Sequence, residues 1–352
     1  MTGDTGQGDV RIEQAMTRTR LPAAFLMHSA SSLHDPGWGH PEHQGRLRAL
    51  ASALAGDMPV LHGSVEPVEP EEMGEDVLLM VHTPAHVALV RSAVAEAAAT
   101  GHAVELDPDT RVSAASWDAA LGSVAAAITA ARGVAQGRWA NAFVATRPPG
   151  HHASAERAMG FCLFNSVAVT ARWLQSEGFA ERVLIVDWDV HHGNGTQDVF
   201  WEDPTVFYLS LHQHPNWPGT GNADERGAGR GEGWTLNVPV DPHTSRAEYL
   251  ALYHDSLDAA FTAARPDVVL VSAGFDCMAG DPLGGLLLEP DDLHAMTLAL
   301  VERASEDCPG RIVACLEGGY EPSRTARAAL SVVRALAGLG SLSETSGEVA
   351  IP

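Results

Sequence analysis

"RVLIVDWDVHHGNG", residues 182–195, joins a run of bulky apolar residues to two aspartates and two histidines. A short, unbroken apolar run rich in Val, Ile and Leu is typical of a strand buried on both faces of a parallel sheet. In extended backbone, residues two apart share a face, so Asp189 and His191 point together while Trp188 and Val190 point away. The stretch therefore predicts a buried strand whose carboxyl end carries a cluster of polar side chains.

The pattern of this strand is repeated along the chain. Short apolar, β-rich runs recur at 23–28, 141–146, 182–187, 205–211, 267–273 and 311–317. Alanine-rich segments with helical length and spacing lie between them, at 84–99, 113–133, 163–177, 246–264, 290–305 and 323–338. Such alternation predicts a single three-layer α/β/α domain with a mostly parallel sheet and its active site at the carboxyl ends of the strands. We expect this domain to span 21–339, between a flexible N-terminus (1–20) and a flexible C-terminal tail (340–352).

The charge of the chain limits its partners. Its 352 residues carry 45 acidic against 22 basic side chains, a formal net charge of −23. A phosphate backbone would be repelled, so we expect no direct binding of nucleic acid. The same charge could attract cationic substrates, or it could be only a solubility trait. Every basic residue is arginine, and the absence of lysine excludes mechanisms that need a Schiff-base lysine or a lysine on phosphate.

The remaining composition favours a cytoplasmic protein with no membrane partner. No apolar run approaches the roughly 18 to 20 residues of a membrane span. The four cysteines form no CxxC pair, as expected of reduced core thiols in the cytosol: Cys162, Cys277, Cys308 and Cys315. The sequence leaves the oligomeric state open, and a homo-oligomer is compatible with it.

Three polar residues at strand ends are candidates for binding a metal. Asp189 and His191 share a face, and Asp276 ends the run "VSAGFD". Because the carboxyl ends of parallel strands meet at one edge of a sheet, the three side chains can converge. Three protein ligands with mixed nitrogen and oxygen donors and one free position are typical of catalytic zinc, and they also suit iron(II). We therefore predict one catalytic Zn²⁺ site, with Fe²⁺ as the alternative.

Two further strand ends carry candidates for proton transfer and carbonyl binding. "RPPGHHA" presents His151 and His152, which could be a structural pair, an extra metal site, or the base and acid that a metal-bound water needs. Asp187 and Asn194 are candidates for fixing the tautomers of these imidazoles. "EGGYEP" presents Tyr320 after two glycines, where its hydroxyl could polarise a carbonyl and hold the oxyanion that forms on it.

Taken together, these motifs make the sequence resemble the histone deacetylase superfamily, closest to its class II and bacterial deacetylase-like amidohydrolases. The motifs occur in the family's order over most of the chain: "HPEHQGRL" (40–47), "VHTPAHV" (81–87), "RPPGHHA" (147–153), "MGFCLFNSVAV" (159–169), "DWDVHHGNGTQDVF" (187–200), "SLHQHPNWPGTG" (210–221), "SAGFDCMAGDP" (272–282) and "LEGGY" (316–320). Because motifs of this length in this order are highly specific, the resemblance implies a fold, an activity and a set of site residues.

The resemblance implies deacetylation of acetyl-lysine by metal-activated water, with release of acetate. The residues it assigns are the zinc ligands Asp189, His191 and Asp276 and the catalytic residues His151, His152, Tyr320, Asp187 and Asn194. In this assignment His152 is the general base and then the acid, and Tyr320 donates to the amide carbonyl. His151 is its electrostatic neighbour, paired with Asp187. Asn194 stands where some family members have aspartate.

The resemblance also implies structural potassium and an acyl-lysine tunnel. One potassium ion would be held mainly by backbone oxygens of Asp187, Asp189, His191 and Leu211, with Ser210 and the Asp187 side chain. A second would lie near Phe200, Asp203 and Val206. The substrate-binding residues would be Phe161 and Trp217 as tunnel walls, Gly160 and Leu283 near the rim, and Asp107 as the rim carboxylate that grips substrate backbone, with Asp109 as the alternative.

Four alternatives remain beside acetyl-lysine deacetylation. "VDWDV" fits the pattern of haloacid dehalogenase-like phosphatases, but those enzymes use a lysine to balance the charge of the phosphate, and this chain has no lysine. Arginase-like ureohydrolases share the fold but need carboxylates for a second metal where this chain has Gly193 and Met278, so we predict a single catalytic ion. Acetylpolyamine or other small N-acyl-amine hydrolysis is opposed by the apolar Leu283 at the rim. A non-catalytic acyl-lysine-binding protein would not need the full catalytic set.

Overall fold

In the described part of the chain, ten strands form a large parallel sheet and a small hairpin. The computed structural model describes residues 21–308 and 310–345. In chain order the strands are β1 Ala23–Leu26, β2 Val65–Val68, β3 Val104–Asp107, β4 Thr110–Val112, β5 Asn141–Val144, β6 Val183–Asp187, β7 Val206–Gln213, β8 Thr235–Val240, β9 Val268–Ala273 and β10 Ile312–Leu316. Eight of them make one sheet in the order β2-β1-β5-β10-β9-β6-β7-β8, and every pairing in it is parallel. β3 and β4 pair antiparallel.

Helices connect these strands, as parallel neighbours require. They are α1 Gly45–Leu61, α2 Pro84–Thr100, α3 Ser116–Ala135, α4 Ser166–Ser176, α5 Asn194–Phe200, α6 Arg246–Ala264, α7 Pro290–Asp307, α8 Pro322–Leu336 and α9 Leu342–Thr345. Side-chain caps fix several starts: Thr83 accepts the N–H of His86 before α2, and Ser245 accepts that of Glu248 before α6. None of the helices in the described ranges is long and apolar enough to cross a membrane.

The sheet has an apolar core on each face. On β6, Leu184 and Val186 pack into one core with α1, α6, α7 and α8, whereas Val183 and Ile185 pack into the other with α2, α3 and α4. Trp188 continues the first face and is fully buried there. The predicted alternation along this strand is therefore present, and the three-layer α/β/α prediction is confirmed.

The structure adds elements that the sequence reading did not identify. The six predicted strands and six predicted helices are all present, but β2, β3, β4, β8, α1, α5 and α9 were not predicted. Two of the unpredicted strands contain a proline, Pro67 in β2 and Pro239 in β8, and these are the two outer strands of the sheet. Proline cannot donate to a ladder, so it is confined largely to such outer positions, where the apolar pattern is also weak.

The predicted domain limits stay a prediction. The expected flexible N-terminus, 1–20, lies outside the described residues, as do 346–352 of the expected C-terminal tail. The first part of that tail contains the short helix α9. Arg334 in α8 donates to the carbonyl of Ser341 at 3.0 Å, which ties this segment to the domain.

Candidate active site

Four neighbouring strands bring the predicted residues to one edge of the sheet. β5, β10, β9 and β6 are consecutive in space, although β10 is the last strand in sequence. The segments that follow their carboxyl ends carry the predicted residues: His151 and His152 after β5, Tyr320 after β10, Asp276 after β9, and Asp189, His191 and Asn194 after β6. Convergence at this edge is the placement that the parallel sheet predicts.

Asp189, His191 and Asp276 form a buried group that could hold a metal ion. One ligand atom from each lies within 4.8 Å of the others, and this is the one such group of His, Cys, Asp or Glu found in the described part of the chain. His191 Nδ1 lies 3.1 Å from Asp189 Oδ1 and 3.3 Å from Asp276 Oδ2. Asp276 Oδ2 is buried and accepts no hydrogen bond. Two buried carboxylates that face one imidazole nitrogen, one of them with a free oxygen, fit a divalent cation such as zinc.

Backbone amides and glycines hold these carboxylates in place. Asp189 Oδ2 accepts the N–H of Gly318 at 2.8 Å, and Asp276 Oδ1 accepts that of Val190 at 2.9 Å. A Cβ at Gly318 would collide with carboxylate oxygens of both aspartates, and one at Gly274 would collide with Asp189. The two glycines therefore let the loops after β9 and β10 approach the candidate ligands closely.

The adjacent histidines have different partners. His151 Nδ1 lies 3.0 Å from Asp187 Oδ2, which also accepts the hydroxyl of Tyr208. His152 Nδ1 lies 2.9 Å from Asn194 Oδ1, so Nδ1 carries the proton and Nε2 is free to accept one. The predicted pairs of each imidazole are thus present.

The same partners shift the pKa values of the two imidazoles in opposite directions. Burial lowers the pKa of His151, but the carboxylates of Asp187 and Asp189 outweigh it and raise that pKa to about 10. Burial and the neighbouring His151 and His191 lower the pKa of His152 well below its usual value. At neutral pH one imidazole is protonated and the other is neutral.

Tyr320 is held by its backbone and by its ring. Its N–H donates to Asp281 Oδ2 at 2.6 Å, and the guanidinium of Arg46 lies over its ring, 4.9 Å from the centroid. Arg46 also donates to the carbonyl of Gly319. Burial raises the pKa of the Tyr320 phenol well above its usual value, so the hydroxyl stays protonated and can donate.

A cavity of about 240 Å³ leads to this group. Its lining residues are Asp109, His152, Gly160, Phe161, His191, Asn216, Trp217, Leu283 and Tyr320. The Phe161 ring packs edge-on against Tyr320 and the Trp217 ring against His152, with centroids 5.6 Å and 4.7 Å apart. The cavity therefore has aromatic walls and reaches His191, one of the three candidate metal ligands.

Comparisons with known proteins identify the family. A sequence model of the histone deacetylase domain matches residues 40–336. The chain belongs to the histone deacetylase family. It is 39% identical over 305 residues to histone deacetylase 15 of Arabidopsis thaliana, covering 85% of this chain and 53% of that protein. It is 35% identical over 300 residues to a probable deacetylase of Archaeoglobus fulgidus, covering 85% of this chain and 82% of that protein.

A solved structure agrees with this assignment. The crystal structure of the HDA15 HD domain superposes with a TM-score of 0.82 and 37% identity, covering 91% of this chain and 89% of that one. The predicted membership of the histone deacetylase family and the predicted fold are confirmed.

Of the two predicted rim carboxylates of this histone deacetylase-family site, the structure places Asp109 and not Asp107 in the cavity lining. Asp107 does not line the cavity; its carboxylate binds Arg157 Nη2 at 3.0 Å and 3.3 Å. Asp109 lines the cavity, and its Oδ1 accepts the N–H of Gly160 at 3.2 Å. β3 and the turn after it decide between the two: Asp107 ends the strand, and Asp109 lies in the turn toward the mouth. The sequence "DPD" offers no way to see which carboxylate faces inward.

Gly193 and Met278 occupy the positions where a second catalytic metal would need carboxylates. A Cβ at Gly193 would collide with Asp187 and Tyr208, so the position is filled by their hydrogen-bonded pair rather than by a second-metal carboxylate. Met278 is buried and offers no oxygen. The single catalytic ion stays a prediction.

Both potassium sites remain predictions, although the residues assigned to each site lie near one another. Asp187 pairs in register with Ser210 across β6 and β7, and Ser210 Oγ lies 2.9 Å from His212 Nδ1. This register brings together the chain segments of the first predicted site: Asp187, Asp189, His191, Ser210 and Leu211. For the second, Phe200, Asp203 and Val206 lie along one turn, where Asp203 forms an ion pair with Arg172.

Sequence reasoning missed several buried polar residues around this histone deacetylase-family site. They are Glu42, Arg46, Arg147, Asp281 and Glu317, together with Asn216 of the cavity lining. Glu42 bridges both arginines, and Arg147 also binds the carbonyls of Ser31 and His34. All six lie within motifs that carry the family resemblance, but the motifs alone do not reveal what each side chain contacts.

Proposed function

We propose that this protein is a zinc-dependent hydrolase that removes the acetyl group from acetyl-lysine and releases acetate. The observation that carries the proposal is the cavity, because a neutral imidazole, a protonated phenol and a candidate metal ligand all line it. Its aromatic walls, Phe161 and Trp217, suit an extended apolar chain that ends in an amide. Leu283 makes the rim apolar on one side, which favours acyl-lysine over a cationic polyamine.

Asp189, His191 and Asp276 would hold the metal. Zinc bound there would act as a Lewis acid that makes water more acidic and the amide carbonyl more electrophilic. The carboxylates and the imidazole supply the mixed oxygen and nitrogen donors that zinc accepts, and iron(II) is the alternative. Structural potassium at the two predicted positions belongs to the same proposal. We also propose a cytoplasmic location, because the four cysteines are buried and form no disulfide.

His152 moves the protons of the reaction. As a neutral base it takes a proton from water while the water oxygen bonds to the carbonyl carbon. When the carbon–nitrogen bond breaks, His152 gives that proton to the departing amine, so lysine and acetate are the products. Asn194 keeps Nε2 unprotonated for this purpose, and the protonated His151 beside it keeps the pKa of His152 low.

Tyr320 stabilises the negative charge that forms on the carbonyl oxygen. Its hydroxyl is protonated, lies in the cavity and can donate a hydrogen bond to that oxygen. Asp281 and Arg46 fix the backbone and the ring, so the phenol is oriented before substrate binds.

Tyr320→Phe tests the oxyanion role. We expect kcat on an acetyl-lysine peptide to fall about 10²–10³-fold, with KM and bound zinc nearly unchanged, because only the transition state loses a hydrogen bond. Tyr249→Phe is the matched control, since this buried hydroxyl has no hydrogen-bond partner in the described structure and its residue packs in the core. Equal kcat in Tyr320→Phe and wild type would remove Tyr320 from the mechanism.

A substrate screen tests the reaction itself. Acetyl-lysine peptides, longer acyl-lysines and acetylpolyamines are compared with and without a chelator, with acetate or the free acid as the measured product. We expect hydrolysis of acetyl-lysine peptide that chelator abolishes and zinc restores. Hydrolysis of acetylpolyamine alone would replace the proposed substrate. Binding of acetyl-lysine peptide to the zinc-loaded protein without product would indicate a non-catalytic binding protein.

A further inference from the structure

Glu317 is a buried carboxylate at the junction of three segments of the site. It follows β10 directly and is 1% exposed. Its Oε2 accepts the N–H groups of Gly150 and His151, at 2.6 Å and 3.2 Å, and its Oε1 accepts the hydroxyl of Ser272 at 3.1 Å. The side chain thus joins the turn that carries the adjacent histidines to β9 and to the segment that carries Tyr320.

The burial of this carboxylate needs a compensating role. It makes no ion pair with any Arg or His that the structure describes, and Arg46 binds the main-chain carbonyl of Glu317 rather than its carboxylate. Burying a carboxyl group that makes only hydrogen bonds is unfavourable unless those bonds satisfy groups that would otherwise be unpaired. Here the groups are two successive amides at the start of the histidine turn.

The other side of the histidine turn is already fixed. A Cβ at Gly150 would lie 2.9 Å from the nitrogen of Ser166 and 3.0 Å from the carbonyl oxygen of Phe164, so the turn packs directly against the start of α4. The carbonyl of His151 accepts the N–H of Thr196 at 3.1 Å. The amides of Gly150 and His151 donate to Glu317, which adds a further constraint on the turn.

We propose that Glu317 is a positioning residue: by accepting the amides of Gly150 and His151, its carboxylate fixes the turn that places His152 against the scissile amide. The inference rests on the role proposed for His152. In this proposal Glu317 fixes the position of His152 and does not act through its own negative charge. A shift of about 1 Å in a catalytic group can lower turnover about 10²-fold, so the constraint matters for kcat more than for binding.

Two conservative variants separate geometry from charge. Glu317→Gln keeps the length of the side chain: its oxygen can accept both amides and its NH₂ can donate to Ser272 Oγ, while the charge is lost. Glu317→Asp keeps the charge but withdraws the carboxylate by one methylene from both amides. We expect Glu317→Gln to retain kcat within about threefold and Glu317→Asp to lose about tenfold or more, with KM and bound metal unchanged in both.

The measurement is steady-state hydrolysis of acetyl-lysine peptide per folded, metal-loaded protein, below the melting temperature of each variant. Should Glu317→Asp not fold, Glu317→Met, which fills similar volume without an acceptor, takes its place with the same expectation. A larger loss of kcat in Glu317→Gln than in Glu317→Asp would overturn the proposal in favour of charge. Wild-type kcat in the Asp or Met variant would overturn it altogether. A wild-type protein that hydrolyses none of the acyl amines would instead refute the proposed function.

Discussion

His151 and His152 are adjacent in sequence but chemically different, because their partners differ. A carboxylate faces the first and an amide oxygen faces the second. An amide orients an imidazole without stabilising its charged form as a carboxylate does, so His152 stays neutral and able to accept a proton. Asp187 therefore favours the charged form of His151, whereas His152 keeps the low pKa that burial and its neighbouring imidazoles give it.

Asn194→Asp should move the pH dependence of the reaction. A carboxylate 2.9 Å from His152 Nδ1 would stabilise the imidazolium and raise the pKa of His152. If His152 is the base proposed above, it must be neutral to act, so the acidic limb of the kcat/KM profile should shift to higher pH by about one unit or more. The measurement is the kcat/KM of wild type and Asn194→Asp on one acetyl-lysine peptide as a function of pH. An unmoved acidic limb would show that this pair does not set the protonation of the base.

At the scale of single residues, prediction from sequence succeeded where alternation or a motif fixes direction. Asp189 and His191 could be placed on one face because a strand has a two-residue period. The sequence could not decide between Asp107 and Asp109, because the choice depends on a turn whose direction the local sequence does not specify. Glu317 was quoted within a motif, but its contacts join segments more than 160 residues apart, which no local pattern shows.

At the scale of elements, loops that follow strands must approach one another closely to build the site. Glycines at Gly274 and Gly318 permit this, because any side chain there would occupy the space of the candidate metal ligands. The strands direct the candidate ligands to one edge of the sheet, and the glycines let the loops that carry them lie close together.

Gly318→Ala should therefore weaken metal binding. The added methyl group would collide with carboxylate oxygens of Asp189 and Asp276, so one of them must move. We expect zinc affinity to fall about tenfold or more, measured by competition with a chromophoric chelator, with kcat falling in parallel at limiting zinc. Gly56→Ala in α1 is the control: nothing lies within 4 Å of its added Cβ, and zinc binding should be unchanged. Equal zinc affinity in both variants would contradict the close approach.

Strands and helices were predicted well where they are buried and their apolar pattern is strong. The central strands are continuous apolar runs, whereas β2 and β8 lie at the two ends of the sheet with a proline in each. Their position is determined by pairing with a neighbour, not by their own composition. Short elements such as α5 and α9 carry too few residues to show a period.

At the scale of the whole molecule, two cores and several buried polar networks must be stable together. His82 belongs to one such network: its Nδ1 contacts the carbonyl of Ser154 at 2.9 Å and its Nε2 accepts the N–H of Asn165 at 2.9 Å. Burial, and then the neighbouring His86, lower the pKa of His82 to about 3. The folded protein therefore holds this side chain neutral, while the unfolded chain protonates it near its usual value of 6.5.

Acid should destabilise the fold through this residue. Between pH 6.5 and about 3 the unfolded state binds a proton that the native state does not, so the stabilising contribution, complete above pH 6.5, is lost as the pH falls. His82→Gln keeps a donor and an acceptor but cannot titrate, so its unfolding free energy should vary less with pH, by up to about 1.4 kcal/mol per unit. Denaturant titrations with chelator present measure both slopes. An unchanged slope in His82→Gln would contradict the assignment.

The position of β10 has a consequence for biosynthesis. This strand is the last of the sheet to be synthesised, yet it inserts between β5 and β9 and carries the segment that ends at Tyr320. Until it emerges from the ribosome, two inner strands have open edges, and such edges promote aggregation. Fragments that end before residue 311 should accordingly need a chaperone to stay dispersed. β10 therefore completes the inner part of the sheet and the candidate site together.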